Sequence, residues 1–250
     1  MEVEEYARVA AAEDEHWWYR NTRALVADLL APWLPRARRI LDAGCGPGGN
    51  GAWLARFGTV VGVDISPDAL AFVRDRRPET MPVRASLDAL PFPDAAFDVV
   101  VGITVLYTVA DDRRAFAELA RVLAPGGALL VLEPAFESLR RRHDATVHGR
   151  RRYRRAELEQ RVHDHGLTLE RATYAYSFLA PPAALLGAVE RLRPRAHDPR
   201  DMAPDGRVES DVERRSLDSA FAPLAGVERR WLMRHDVPFG TSVIVVASAD

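Results

Sequence analysis

Residues 40–48 read ILDAGCGPG, a short apolar strand that runs directly into a glycine-rich turn. Glycine lets the backbone turn sharply and lets a ligand approach without a Cβ in the way. A helix predicted over 50–57 follows, and its first N–H groups would point towards bound negative charge. The next apolar run ends at Asp64, whose carboxylate can accept hydrogen bonds from the hydroxyls of a ribose. The pattern predicts a nucleoside-binding site.

The spacing of the turn narrows the class of nucleoside. Asp42 lies two residues before Gly44, which gives the spelling Asp-x-Gly-x-Gly-x-Gly. Asp64 follows Gly48 by 16 residues, whereas dinucleotide-binding folds place their ribose acid about 20 residues further on. This spelling resembles the first motif of class I S-adenosylmethionine (SAM)-dependent methyltransferases. A turn without a ligand and a nicotinamide or flavin site are the alternatives.

Composition limits the class of protein. The chain has 250 residues, 48% of them hydrophobic, enough to bury the core of one domain without a metal or a disulfide. Its single cysteine, Cys45, has no disulfide partner, which favours a reducing cytoplasm. The sequence shows no signal pattern and no apolar run of about 18 residues, and its net charge of −2 gives no general basic field. We expect a cytoplasmic monomer or homodimer without nucleic-acid or membrane partners.

Apolar runs alternate with amphipathic stretches along most of the chain. Strands are predicted at 39–43, 59–63, 81–85, 97–102, 128–133, 167–175 and 242–247. Helices are predicted within 2–31, at 50–57, from Ser66 onward, at 111–122 and at 154–165. This alternation predicts an α/β fold with a parallel, doubly wound sheet whose ligands bind at the carboxyl ends of the strands.

We expect residues 1–250 to form a single domain. Residues 1–35 are predicted to be a helical cap, and 176–240 a helical lid inserted between the last two strands. Helices within this insertion are predicted at 183–193 and 211–234. Residues 194–210 carry prolines and charges but few apolar side chains, a composition typical of a mobile or disordered piece.

Further segments match the plan of class I methyltransferases over nearly the whole chain. Residues 85–98 resemble the segment after the third strand, where related enzymes bind adenine, and 121–127 resemble the turn before the fifth strand. The resemblance implies a seven-stranded Rossmann-like sheet of order 3-2-1-4-5-7-6, its last strand antiparallel. It implies SAM as cofactor, S-adenosylhomocysteine (SAH) as product and no metal. The cofactor-binding residues it implies are Tyr19, Arg23, Asp42, Gly44, Cys45, Gly46, Gly48, Asp64, Ile65, Ser86, Leu87 and Thr104.

Two positions depart from that plan. Many relatives have Asp where this chain has Ser86, so the adenine contact would use the Ser86 hydroxyl or the Leu87 N–H, unless Ser86 is a plain turn residue. Relatives often show Val-Leu-Glu-His after strand four, where this chain has Val-Leu-Tyr-Thr at 105–108. Acid or base chemistry at that place is therefore lost or altered. Tyr19 and Arg23 have an alternative role as anchors of the amino-terminal helix.

A narrower resemblance concerns the methyl acceptor. Residues 16–20, HWWYR, and the later segment from His143 to Tyr153 resemble methyltransferases encoded among glycan and natural-product biosynthesis genes. The predicted acceptor is an oxygen or nitrogen of such a small molecule. The candidate catalytic residues are His143, His148 and Tyr107, and the candidate substrate-binding residues are Trp18, Tyr107, His143, Arg152 and Tyr153. Each histidine has an alternative as a loop residue bonded to backbone or to Asp144.

The segment 140–155 contains eight arginines, and all 34 basic residues of the chain are arginine. Guanidinium groups could bind phosphate, carboxylate or a nucleotide-sugar diphosphate. The alternative is a solvated face combined with GC-rich codon usage. An RNA methyltransferase that uses these arginines and a non-catalytic SAM-binding protein are the competing functions.

Overall fold

Seven strands form the centre of the computed structural model. Their bounds are β1 (Arg39–Ala43), β2 (Thr59–Asp64), β3 (Thr80–Arg84), β4 (Phe97–Ile103), β5 (Leu123–Pro134), β6 (Thr168–Ala175) and β7 (Ser242–Ser248). They make one sheet of order β3-β2-β1-β4-β5-β7-β6. Strands β1 to β5 pair in parallel, and β7 pairs antiparallel with β5 and β6. The predicted topology is confirmed.

The structure describes residues 3–141, 144–145, 147–192 and 218–250. The helices in these ranges are α1 (Val3–Ala12), α2 (Trp17–Leu29), α3 (Gly51–Leu54), α4 (Pro67–Arg76), α5 (Asp112–Arg121), α6 (Arg155–Asp164), α7 (Ala180–Leu192) and α8 (Asp218–Leu232). The Ser66 hydroxyl caps α4 by accepting from the Ala69 N–H at 3.4 Å, as the sequence predicts. None of the helices within the described ranges is long and apolar enough to cross a membrane.

Helices cover both faces of the sheet. Because its central strands are buried on both faces, they read as continuous apolar runs rather than as alternating patterns. On one face α5 and α6 contribute Phe116 and Leu158 to the core. On the other face α2 and α8 contribute Leu25 and Leu232. Helices α7 and α8 both lie between β6 and β7 in the chain, where the insertion is predicted.

Two predicted boundaries differ from the structure. Helix α3 ends at Leu54 rather than near 57, because Arg56 and Phe57 donate to residues three positions back and tighten the chain into turns. Strand β5 begins at Leu123 rather than 128, because Leu123 pairs with Phe97 before a register shift. Part of the turn predicted at 121–127 therefore belongs to the strand. The predictions for 194–210 lie outside the described residues.

Candidate functional site

The glycine-rich turn leaves β1 at the carboxyl edge of the sheet. Gly44 and Gly48 have φ angles of 72° and 94°, which residues with a Cβ rarely adopt. A Cβ on Gly44 would also overlap the Val105 side chain. The N–H groups of Gly44 and Cys45 donate to the Val63 carbonyl at 2.8 and 2.9 Å. The turn is therefore fastened to the end of β2.

Asp64 ends β2 and faces this turn. Its Oδ2 accepts from the Gly46 N–H at 3.0 Å and its Oδ1 accepts from the Ser66 N–H at 2.9 Å. Burial raises the pKa of Asp64, and these backbone donors oppose that rise. Each carboxylate oxygen can accept a second hydrogen bond. The neighbouring Ile65 is 64% exposed and could lie against a bound ring.

Asp42 lies at the other side of the turn and is only 1% exposed. Its Oδ1 accepts from the Asn50 side chain at 3.4 Å, while its Oδ2 has no hydrogen-bond partner in the described part of the chain. Burial raises the pKa of Asp42 to about 7, and Glu13 and Asp64 add to the rise. A buried carboxylate oxygen without a donor is costly, and a cationic ligand would satisfy it.

Helix α1 covers the turn, an arrangement that the sequence did not predict in detail. Its Tyr6 is 6% exposed and its hydroxyl lies beside Ser66 and Asp64, where burial raises the pKa of Tyr6 to about 12. Glu13, which follows α1, is 2% exposed and pairs with Arg76 of α4 at 2.8 Å. The signal available in the sequence was the spacing of Tyr6, Ala10 and Glu13, which places them on one helical face. The many acidic residues of this region obscured that helical face.

The aromatic start of α2 lies next to this cover. Arg23 donates to the Gly49 carbonyl at 2.8 Å and also to the Glu13 carbonyl, so its guanidinium joins α2 to the glycine turn. Tyr19 is half-buried, and burial beside Glu13 raises its pKa. The Trp18 ring contacts the Tyr19 ring edge-on at 5.0 Å. These contacts fit the anchoring role as well as a role at the cofactor.

The segment predicted to bind adenine follows β3 at the same edge of the sheet. The Ala85 N–H donates to the Asp64 carbonyl at 3.2 Å, which holds Ser86 next to the end of β2. Ser86 is half-buried and its carbonyl accepts from the Ala89 N–H at 3.1 Å, while Leu87 is 5% exposed. Cys45 is also buried, between the turn and α4, and burial raises the pKa of its thiol.

The loop after β4 lies against the glycine turn. Thr104 has a φ of 49°, and its N–H donates to the Leu132 carbonyl at 2.7 Å. Tyr107 follows with 9% exposure, and burial together with Glu133 raises its pKa. Glu133 is fully buried at the end of β5, and burial raises its pKa to about 8. Nothing in the sequence distinguished Glu133 from an ordinary strand-end acid.

The arginine-rich segment is held by internal contacts. Arg152 pairs with Asp144, which is 5% exposed, through bonds of 3.1 and 3.0 Å. The Tyr153 hydroxyl donates to Asp112 at 2.6 Å, and Tyr153 is 1% exposed. The polar groups of Arg152 and Tyr153 therefore bond to side chains within the protein and stabilise this segment. His148 is exposed, with a φ of 58°, whereas His143 lies outside the described residues.

Comparison with known proteins finds relatives of the part of the chain that contains the glycine turn. Residues 41–131 match a family model described as a methyltransferase domain. Rv3030 of Mycobacterium tuberculosis, named as a probable SAM-dependent methyltransferase, is 40% identical over 121 residues, 48% of this chain and 43% of that protein. Demethylmenaquinone methyltransferase of Tropheryma whipplei is 35% identical over 48% of this chain and 49% of its own. Methyltransferase GfsG of Streptomyces halstedii is 39% identical over 38% of this chain and 37% of its own. The chain thus spans less than half the length of these relatives.

Solved structures share the whole fold at low identity. A TehB-like SAM-dependent methyltransferase from Corynebacterium glutamicum superposes with a TM-score of 0.59 at 20% identity, over 99% of this chain and 98% of its own. The [4+2]-cyclase SpnF superposes with a TM-score of 0.55 at 20% identity, over 90% of this chain and 80% of its own. At such identities the likeness concerns the fold alone.

Proposed function

We propose that this chain, which carries a class I SAM-dependent methyltransferase domain, transfers the methyl group of SAM to an oxygen or nitrogen of a small molecule. The observation that carries the proposal is the pair of acids flanking the glycine turn. Among the residues that the structure describes, none donates to the buried Asp42 Oδ2 on one side of the turn, and Asp64 has free acceptor capacity on the other. Asp42 suits the cationic end of one elongated ligand, and Asp64 suits its ribose end.

The residues present fit SAM. Asp64 would hold the ribose hydroxyls, and Asp42 would face the ammonium group, directly or through a water. Ser86 and Leu87 would contact the adenine, with Ile65 against its face. When bound, SAM supplies a methyl group on a sulfonium, an already activated leaving group. The chain must then align the acceptor and exclude water. The buried Tyr6 and Glu13 above the turn support such exclusion.

Tyr107 is the best-supported residue for the acceptor side of the site. It follows strand β4, so it lies at the carboxyl edge where ligands of parallel sheets bind. Its environment includes Tyr19, Asp144 and Arg152. We propose that Tyr107 and Tyr19 orient the acceptor. For a hydroxyl acceptor, His148 and His143 remain the proposed proton acceptors.

Four arginines of the segment 140–155 already bond to groups within the protein, which supports a small molecule rather than RNA as the methyl acceptor. Arg151 pairs with Asp112 at 2.8 Å, and Arg152 pairs with Asp144. Arg140 donates to the Gly149 carbonyl at 3.1 Å, and Arg150 donates to the Thr108 carbonyl at 3.1 Å. A phosphate would have to compete with each internal partner. The motif resemblance supports a biosynthetic role with a natural-product or sugar-like acceptor, and the similarity to the methyltransferase GfsG supports methyl transfer as the reaction.

We propose that the insertion 176–240 acts as a lid. Glu228 of α8 accepts from the N–H groups of Tyr176 and Ser177 at 2.6 and 2.7 Å, which fixes the start of the insertion. Leu185 and Leu186 of α7 are 67% and 42% exposed. Apolar side chains on that helix could contact an acceptor bound beneath it. The cytoplasmic location remains a prediction.

Transfer of label from methyl-labelled SAM tests the proposed function. The wild-type protein is incubated separately with a low-mass extract and with total RNA of its own organism, and Asp64→Ala serves as the inactive control. We expect label in a small product with the wild type only. Label in RNA, or no transfer by a protein that binds SAM, would contradict the proposal in favour of an RNA methyltransferase or a non-catalytic SAM-binding protein.

A further inference from the structure

Glu133 accepts hydrogen bonds from the backbone of three consecutive residues in the loop after β4. Its Oε1 accepts from the N–H groups of Val105 and Leu106 at 3.1 and 2.8 Å, and its Oε2 accepts from that of Tyr107 at 3.2 Å. The side chain is 0% exposed. In the part of the chain that the structure describes, no arginine pairs with it. A buried polar side chain is costly unless it is hydrogen-bonded, so the three donors are the main compensation for burying the Glu133 carboxyl group.

The loop that Glu133 holds, residues 104–107, touches the glycine turn on the SAM side of the site through Val105. A Cβ on Gly44 would overlap Val105 Cγ2, so the two residues lie in direct contact. Gly44 belongs to the turn that we propose binds SAM. The position of Val105 therefore follows the position of that turn, because protein interiors are close-packed and transmit displacement.

The same loop touches the acceptor side through Tyr107. Its carbonyl accepts from the Arg150 N–H at 2.8 Å. A Cβ on Gly149 would lie 2.8 Å from Tyr107 Cε2, so the ring rests on the backbone of residue 149. One hydrogen bond and one ring contact thus tie residues 149 and 150 to a loop that is itself tied to Glu133.

The loop also starts with a strained residue. Thr104 adopts a positive φ of 49°, and a β-branched residue in that region persists only where its surroundings fix it. The bond from the Thr104 N–H to the Leu132 carbonyl, next to Glu133, supplies part of that constraint. The end of β5 therefore determines the path of residues 104–107.

We propose that Glu133 is a positioning residue that couples the SAM-binding turn to the acceptor-side segment 149–150, by fixing the backbone of Val105, Leu106 and Tyr107 between them. The inference rests on the proposed function, because it takes the glycine turn to bind SAM and Tyr107 to face the acceptor. Methyl transfer needs the donor and acceptor atoms in line at close range, so a loop fixed against both sides would set their separation.

Hydrogen exchange of the full-length protein with and without SAH tests this coupling without knowledge of the acceptor. In the wild type, SAH should slow exchange in residues 44–48 and, through the loop, in residues 147–153 by on the order of tenfold. In Glu133→Gln an amide N–H group replaces one acceptor, so the Tyr107 N–H loses its partner. The protection of 44–48 should persist, whereas that of 147–153 should fall to about the level without SAH.

Two further variants keep the test interpretable. Val105→Ala removes the side chain that contacts Gly44 and leaves the Glu133 bonds in place, so it should cause the same uncoupling even if Glu133→Gln fails to fold. Asp98→Asn, which alters another carboxyl group bonded to two backbone N–H groups, should leave both protections unchanged.

Equal protection of both segments in wild type, Glu133→Gln and Val105→Ala would overturn the proposal. So would a wild type in which SAH protects 44–48 without any effect on 147–153. Failure of the proposed function would appear differently, as absence of methyl transfer by a protein in which SAH still protects both segments.

Discussion

Asp64 accepts a hydrogen bond of 3.0 Å from the backbone N–H of Gly46, so the acid at the end of β2 and the turn after β1 form one unit. A second bond, from Ser66, fixes the other carboxylate oxygen. The acid is oriented before any ligand arrives. Preorganised polar groups of this kind bind a ligand with little loss of side-chain freedom.

Asp64→Ala should weaken SAH binding. The change removes charged acceptors for the ribose hydroxyls and also releases Gly46, and hydrogen bonds to charged groups contribute about 1.5–3 kcal/mol each. We expect the Kd, measured by calorimetry, to rise on the order of 100-fold. Asp68→Ala, which alters an exposed acid in the first turn of α4, is the matched control and should bind normally. Normal binding by Asp64→Ala would refute the ribose assignment.

The affinity for SAM should rise with pH through about 7. Burial raises the pKa of Asp42 to about 7, so the side chain is mostly neutral at pH 6 and charged at pH 8. Only the carboxylate attracts an ammonium group. The Kd should therefore fall about tenfold from pH 6 to pH 8, as expected for one titrating group.

Asp42→Asn should remove that pH dependence. Asp98→Asn, an acid that accepts from Arg38 and Arg39 at the opposite end of β1, should retain it. The stability of the fold changes with pH in the opposite direction to the affinity for SAM. A raised folded-state pKa means that the contribution of Asp42 to stability is full in acid and is lost as the pH rises to about 7. A Kd that does not change with pH in the wild type would contradict the role assigned to Asp42.

The fold and the placement of the glycine turn beside Asp64 were predictable from sequence because their signals are local. The turn after β1, the acid at the end of β2 and the Ser66 cap each depend on residues within a few positions of one another. The roles of Asp112 and Glu133 depend on contacts between distant segments, which no periodicity records. The contacts of the arginine-rich segment could not be predicted for the same reason. Asp112 lies 41 residues before Tyr153, so nothing in the sequence indicated the hydrogen bond between them.

Tyr6→Ala should speed the release of SAH. The phenol lies beside Asp64 and Ser66, and its helix covers the turn. Loss of the ring opens the cover, and we expect the dissociation rate constant in stopped-flow measurements to rise about tenfold, or about 1.4 kcal/mol. Tyr6→Phe keeps the ring and should stay near the wild type. An unchanged rate in Tyr6→Ala would mean that α1 does not cover the ligand.

Asp112→Ala should destabilise the fold without weakening SAH binding. Its carboxylate accepts from Tyr153, Arg151 and Arg161, the last at 2.7 Å. Removal leaves Arg161 buried without its partner, a loss of about 3 kcal/mol in the free energy of unfolding measured with urea.

The neighbouring Asp111→Ala offers a graded control. Asp111 caps α5 by accepting from the Arg114 N–H at 3.0 Å, and loss of such a cap costs about 1 kcal/mol. Similar losses of stability in Asp111→Ala and Asp112→Ala would show that the bonds of Asp112 to Tyr153, Arg151 and Arg161 do not hold the arginine-rich segment.

The central claim is that the glycine turn, Asp42 and Asp64 bind SAM, and a crystal structure of the protein with SAH tests it most directly. Both ribose hydroxyls should lie within hydrogen-bond distance of Asp64, the amino group should face Asp42, and the sulfur should point towards Tyr107. A nucleoside bound away from Asp64, or a sulfur directed away from Tyr107, would contradict the account.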